Sequence, residues 1–384
     1  MKRLPIVIAY FLFPVINILT RDMNYAINRN WIDVAWMIMF FVSLLLAALN
    51  NRLKLQIKRP MLVFSLVIIN WTFVHYFYNL AVNQTELVPL IQETKPFLYV
   101  LFVLFWLKIW GSPKGDYFID GGVVLGLILT VEFVVESFLA HQYIRVSGSG
   151  EINYDAMLLV VSSCFLINQG KFWSQKSFWR WMVILLGLFI SLSRTALATE
   201  MILWFMFMNI CPVIKIAVIA LSVVGVFLSF NVRDLSFVYI SMDRYWMWTS
   251  ALGMFLANPI QALLGFGIQP LPVTIPAQLM YLWIDLQQTA WGLSGIYAYN
   301  FHSFWLRFGI SWGAIGIVLL VLLIVYLLVS YRQSKLVLYL IIVFTLEGLT
   351  MGTVYLSNVG IPFMLALAVG ISNTRDNTAR VQRA

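Results

Sequence analysis

Three side chains in this sequence have the types that phosphate and proton chemistry require. Arg194 stands in Ser191-Leu-Ser-Arg-Thr-Ala, Arg244 in Asp243-Arg-Tyr-Trp-Met-Trp, and His302 in Tyr299-Asn-Phe-His-Ser-Phe-Trp-Leu-Arg. Guanidinium forks grip phosphate oxygens in pairs and neutralise the charge that develops as a diphosphate leaves a sugar. An imidazole titrating near neutrality accepts or delivers a proton at an attacking hydroxyl. Each has a plainer alternative: an arginine near a membrane snorkels to headgroups, and an interfacial histidine is more often a structural hydrogen-bonder. The neighbouring Tyr245, Trp246, Trp248, Tyr281, Trp283, Trp291, Tyr297 and Tyr299 suit an interfacial aromatic belt as well as stacking on sugar rings. Carboxylates here are few, chiefly Asp234, Asp243 and Asp285, with no Asp-x-Asp pair and no His cluster, so neither a dedicated metal site nor another cofactor is expected.

The elements that must position these groups follow from composition. Of 384 residues, 61% are hydrophobic and only 11% charged, against roughly 25% charged in soluble domains. Mean hydropathy is +0.87. An all-α polytopic membrane protein is expected, one integral domain over residues 1–384. The net charge of +9 would suggest nucleic acid in a soluble chain, but the basic residues fall in short clusters between apolar runs, which is a topology signal and implies no nucleic-acid partner. Cys164 and Cys211 imply no disulfide framework.

About 20 apolar residues cross a hydrocarbon core of about 30 Å. The runs predict about 12 transmembrane helices, near 5–20, 31–49, 60–82, 96–110, 119–140, 153–168, 178–193, 195–211, 213–230, 303–330, 335–353 and 356–372. Lys2 and Arg3 precede the first run and no small-x-small cleavage site follows it, so a retained first span is expected. With both termini cytoplasmic, 17 Lys and Arg residues fall inside and 8 outside, as the positive-inside rule favours. The chain then divides into N-terminal spans (1–144), spans carrying the Ser-Arg turn (145–230), one long outer loop (231–302) and C-terminal spans (303–384). Within the loop, an amphipathic helix over Met242 to Leu256 ends at Asn258-Pro259, and a second helical stretch is expected from Ala277 to Thr289. Arg194, Arg244 and His302 all fall on the outer side.

Carboxylates within the spans include Glu132 and Glu136 on one helix face, Glu200, and Glu347. Pairing with an Arg or Lys of a neighbouring helix is the favoured expectation for each. A proton path is the functional alternative.

Three segments carry a family resemblance: Ser191-Leu-Ser-Arg-Thr-Ala-Leu; Asp243-Arg-Tyr-Trp-Met-Trp-Thr-Ser-Ala-Leu with Asn258-Pro and Leu264-Gly-Phe-Gly; and His302-Ser-Phe-Trp-Leu-Arg-Phe-Gly-Ile-Ser-Trp-Gly-Ala-Ile-Gly. In order and spacing they resemble the O-antigen ligase and polymerase superfamily. Arg145-Val-Ser-Gly with Asn153 and Ala156 is similar to an upstream family element, although Asn-Tyr-Asp stands where the family has Asn-Pro-Asn. The resemblance covers about residues 145–320.

The resemblance implies a GT-C-like fold in the bacterial inner membrane and a metal-independent glycosyltransferase with a periplasmic site. Its donor would be an undecaprenyl-diphosphate-linked oligosaccharide. Arg194 and Arg244 would bind the diphosphate and His302 would orient or deprotonate the acceptor hydroxyl, with Arg145, Trp248 and Arg307 as further substrate contacts. Gly309, Gly313 and Gly316 would allow close helix packing beside the site. A polysaccharide polymerase, working with a flippase and a chain-length regulator, is the leading expectation. A ligase that transfers glycan to lipid A-core is the alternative from the same family, and a twelve-span transporter the alternative from another class.

Overall fold

The computed structural model describes residues 1–21, 25–49, 59–82, 93–141, 146–148, 151–170, 174–207, 248–267 and 297–381, with a few isolated positions between them. The described residues are helical, with no strand among them. In chain order the helices are α1 (Leu4–Leu19), α2 (Tyr25–Leu49), α3 (Arg59–Ala81), α4 (Lys95–Trp110), α5 (Gly115–Ala140), α6 (Ile152–Gln169), α7 (Gln175–Ser191) and α8 (Arg194–Phe207). They continue with α9 (Trp248–Ala257), α10 (Pro259–Leu264), α11 (Phe304–Ser330), α12 (Lys335–Glu347) and α13 (Ser357–Val381). Among the described residues, Trp31–Leu49, Gly115–Ala140 and Phe304–Ser330 are long and apolar enough to cross a bilayer. This is the architecture of a helical membrane protein. The expected span 213–230 lies largely outside the described residues, as does the stretch from Ala277 to Thr289.

Local chemistry explains the ends. Ser174, Ser303 and Ser334 each stand just before a helix, and their hydroxyls accept from the N–H groups of Ser177, Leu306 and Val337, all at 3.3 Å, which satisfies donors that a helix start leaves free. In α1 the ladder widens to a π-turn over Ile8–Leu12 just before Pro14, since a proline offers no N–H and crowds the carbonyl four residues back.

The centre of the bundle is α6. Every residue from Tyr154 to Leu166 is buried, as expected of a helix apolar on all sides. Around it pack α5, α7, α8, α12 and α13. Helices α5 and α7 approach most closely where Gly126 and Gly187 meet: a Cβ on Gly187 would lie 2.9 Å from the Gly126 Cα.

Two apolar runs read as continuous spans are interrupted. The run 335–353 is helical only to Glu347, and residues 348–356 form an irregular strap with a 3-10 turn at Thr353–Tyr355. The run 303–330 breaks at Gly313, whose φ of 69° leaves the helical region. There Gly313 meets Gly265, just past α10, backbone to backbone; a Cβ on Gly313 would stand 2.5 Å from the Gly265 nitrogen. Gly309 and Gly316 do not repeat this. A Cβ on Gly309 would have only ordinary contacts, and one on Gly316 would meet Trp312 of its own helix.

Candidate functional site

Contacts between helix ends sort the bundle into two ends. At the first, the Gln169 amide of α6 donates to Asp116 of α5 at 2.8 Å, Arg180 of α7 meets Asp120 at 2.5 Å, and the Ser334 hydroxyl donates to the Gly370 carbonyl of α13 at 3.0 Å. Measured from there, helix lengths differ. The 26 residues of α5 rise about 39 Å and the 18 of α6 about 27 Å at 1.5 Å per residue. At the second end α5 therefore stands about 12 Å above α6. Likewise Lys95, the first residue of α4, meets Asp33 of α2 at 2.7 Å, so the first turns of α2 overtop α4 by about 12 Å. The low ends of α4, α6, α7, α8 and α12 make a floor, and α2 and α5 rise above it.

The Ser-Arg turn lies on this floor. Helix α7 closes at Leu192 in the left-handed region, φ 49°. The Ser191 hydroxyl accepts from the Ser193 N–H at 3.3 Å, and the Ser193 hydroxyl donates to Asn153 Oδ1 at 3.0 Å. That locks the turn to the start of α6 and begins α8 at Arg194, which is partly exposed. One residue on, the Thr195 and Thr350 hydroxyls share a hydrogen bond of 2.7 Å.

His302 reaches the same place from the other side. It is exposed, directly before the Ser303 cap of α11. The Ser303 hydroxyl donates to the Gly348 carbonyl at 3.1 Å and the Phe304 N–H to the Met351 carbonyl at 2.8 Å. The strap 348–356 thus grips the Ser-Arg turn through Thr350 and the histidine segment through Gly348 and Met351. Two motifs more than a hundred residues apart share one support. The strap is itself strained: Thr353, β-branched and fully buried, has φ 35°, a conformation rare for such a residue.

Arg307 points elsewhere. Its Nε and Nη2 donate to Glu93 Oε1 at 2.9 and 2.6 Å, and its guanidinium lies 3.7 Å over the Tyr355 ring. Ser311 donates to the second Glu93 oxygen at 3.2 Å. Arg307 therefore ties α11 to the start of α4 and to the strap, which is a structural engagement and not a free phosphate fork. Arg145 and Arg244 lie outside the described residues. The residues after Arg145 are held at this same end, with the Gly148 carbonyl accepting from Asn17 at 2.9 Å and the Ser147 carbonyl from Arg21 at 3.3 Å. Trp248 opens α9 with its side chain partly in the open.

The expected carboxylate pairings divide. Glu132 pairs with Arg21, and Glu136 lies 3.4 Å from the same guanidinium. Glu200 instead accepts from the Ser163 hydroxyl and from Trp204 Nε1. Glu347 faces the Thr199 hydroxyl. Neither has a Lys or Arg partner among the described residues, because α6, α8 and α12 present no cation at that depth. Among the described residues no three His, Cys, Asp or Glu side chains are grouped as a metal would need.

Sequence reasoning passed over Thr195, Thr350, Glu93 and Tyr355. Their only signal was a polar residue inside or beside an apolar run, as in Thr350-Met-Gly-Thr. No family model matches the chain, and searches of curated proteins and of solved structures find no match either.

Proposed function

We propose that the chain is a polysaccharide polymerase of the bacterial inner membrane, a glycosyltransferase fed by undecaprenyl-diphosphate-linked oligosaccharide at the periplasmic end of the bundle. The observation that carries the reading is the strap, which brings the Ser-Arg turn and the His302 segment onto one floor below the tops of α2 and α5. In a core of about 30 Å, that floor stands about 20–27 Å up, lowest at the end of α12 and highest at those of α6 and α7, and it opens toward the headgroup region where a lipid diphosphate sits.

In this reading Arg194, with Arg244, neutralises the diphosphate as the bond from sugar carbon to phosphate oxygen breaks. His302 takes the proton from the acceptor hydroxyl as its oxygen bonds to that carbon. The electron pair of the broken bond leaves on the diphosphate. Trp248 offers a ring for sugar stacking, and a flippase and a chain-length regulator are the expected partners.

The test is the surface glycan of a strain lacking the protein. A polymerase leaves lipid A-core capped by single repeat units. Polymer stranded on its lipid carrier would replace this reading with that of a ligase. An unchanged glycan would overturn both and return the transporter reading.

A further inference from the structure

The segment before Gly313 is a short half-helix, 304–312, with three separate faces. Phe304, Phe308 and Trp312 pack inward against Phe344 and Phe97, with ring centroids 4.7 and 5.0 Å apart for Phe304–Phe344 and Trp312–Phe97. Arg307 and Ser311 face Glu93. Leu306 and Ile310 face outward, where they form a small core with Ala251, Met254 and Phe266. Phe344 stands nine residues along α12 from Lys335 and Phe97 thirteen residues back from Trp110, so their levels are about 13 and 20 Å from the first end. The half-helix does not descend between them. Over a length of about 12 Å it climbs about 7 Å, tilted from the bundle direction.

Helices α9 and α10 therefore pack beside a membrane-depth element. The Phe266 N–H donates to the Ile310 carbonyl at 2.7 Å, and Gly265 abuts Gly313. Residues 314–330 rise about 25 Å from the first end to that junction, whereas α5 rises about 39 Å and keeps an exposed apolar surface as far as Leu139. The outer face of the pair carries Trp248, Leu252 and Leu256 of α9, at steps of four residues on one helix face, and Ile260 and Leu263 of α10, all exposed. Between Arg244 and Asp285 the chain has no Lys, Arg, Asp or Glu, a composition foreign to a loop in water.

We propose that α9 and α10 lie within the bilayer leaflet on this side, as an in-plane helix pair whose outer face from Trp248 to Leu263 is covered by lipid acyl chains. This refines the expectation of one long outer loop over 231–302, and it stands apart from the proposed activity. In-plane apolar helices bind a leaflet through the area they bury in it, and the irregular backbone at Gly265 and Gly313 is permitted at such depth because it is enclosed by protein.

The test places single nitroxide labels at Leu252→Cys, Leu256→Cys and Ile260→Cys in the full chain, with Cys164 and Cys211 replaced by Ala, reconstituted in phosphatidylethanolamine–phosphatidylglycerol vesicles. Collision rates with oxygen, which partitions into lipid, and with a water-soluble nickel chelate are compared with those at Val318, on the exposed apolar face of α11, and at Lys114, in a connection between helices. The oxygen-to-nickel ratio at 252, 256 and 260 is expected to match that at 318. A ratio like that at 114 overturns the proposal in favour of water. Low accessibility to both, with dipolar broadening between labels, overturns it in favour of a second copy of the chain. The three sites are read separately, so one label that perturbs packing leaves two that decide.

Discussion

The two ends of the helix bundle hold charge in different ways. At the first end the cations are peripheral: Arg180 meets an Asp120 side chain that is 55% exposed, and the Arg3 guanidinium lies 4.4 Å over the Tyr117 ring. At the second end Arg21–Glu136 and Lys95–Asp33 are likewise partly exposed, but one pair is drawn inward. Glu93 is 1% exposed and Arg307 15%, and the pair braces a buried strap. Exposed pairs contribute about 0–1 kcal/mol, whereas breaking a buried pair costs about 3–5 kcal/mol because one charge is left stranded. Charge at the first end can orient the chain without holding its structure, whereas at the second end the buried Arg307–Glu93 pair holds structure.

The largest expected effects fall on the second end. Arg194→Ala should abolish glycan elongation while membrane insertion stays unchanged; normal long-chain polymer would remove it from the site. Arg194→Lys should also be impaired, since an ammonium cannot form the paired contact. His302→Gln should lower turnover by about 10²–10⁴-fold, as read by polymer formed from lipid-linked repeat units, and undiminished turnover would end its role as a proton acceptor. Next comes stability. Arg307→Met should destabilise by about 3–5 kcal/mol in detergent unfolding, and adding Glu93→Gln should restore most of that loss. A double variant as unstable as the single one would mean that the cation–π contact with Tyr355, not the ion pair, holds the strap. The smallest effect belongs to the first end, where Arg180→Ala should change stability by no more than about 1 kcal/mol. A loss as large as that of Arg307→Met would erase the contrast between the ends.

Particular elements show how far the residues could be read in advance. Helices stand near the expected positions of the runs from 5–20 to 178–193 because apolar length alone sets them. Ser191 and Ser193 marked a true turn, since hydroxyls bond local backbone in place of a helix ladder. The strap was hidden because Leu349, Met351, Val354 and Leu356 are as apolar as a span; the contacts that hold it, Thr350 on Thr195 and Met351 on Phe304, come from distant segments. The break at Gly313 was hidden likewise, because a glycine in an apolar run looks the same whether it admits a neighbouring helix or lets the chain turn. Arg307, expected as a substrate contact, meets Glu93, 214 positions away, a pairing that no local pattern records.

The sequence by itself determined that the chain is helical, where most of its helices lie and which residue types the second end offers. These follow from the solvent that each local segment prefers, a property each stretch of chain carries alone. Tertiary structure decided which cations are neutralised, which apolar runs are interrupted, and that the Ser-Arg turn and His302 share a strap. Those outcomes depend on partners distant in sequence, and an apolar run does not record which partner will meet it.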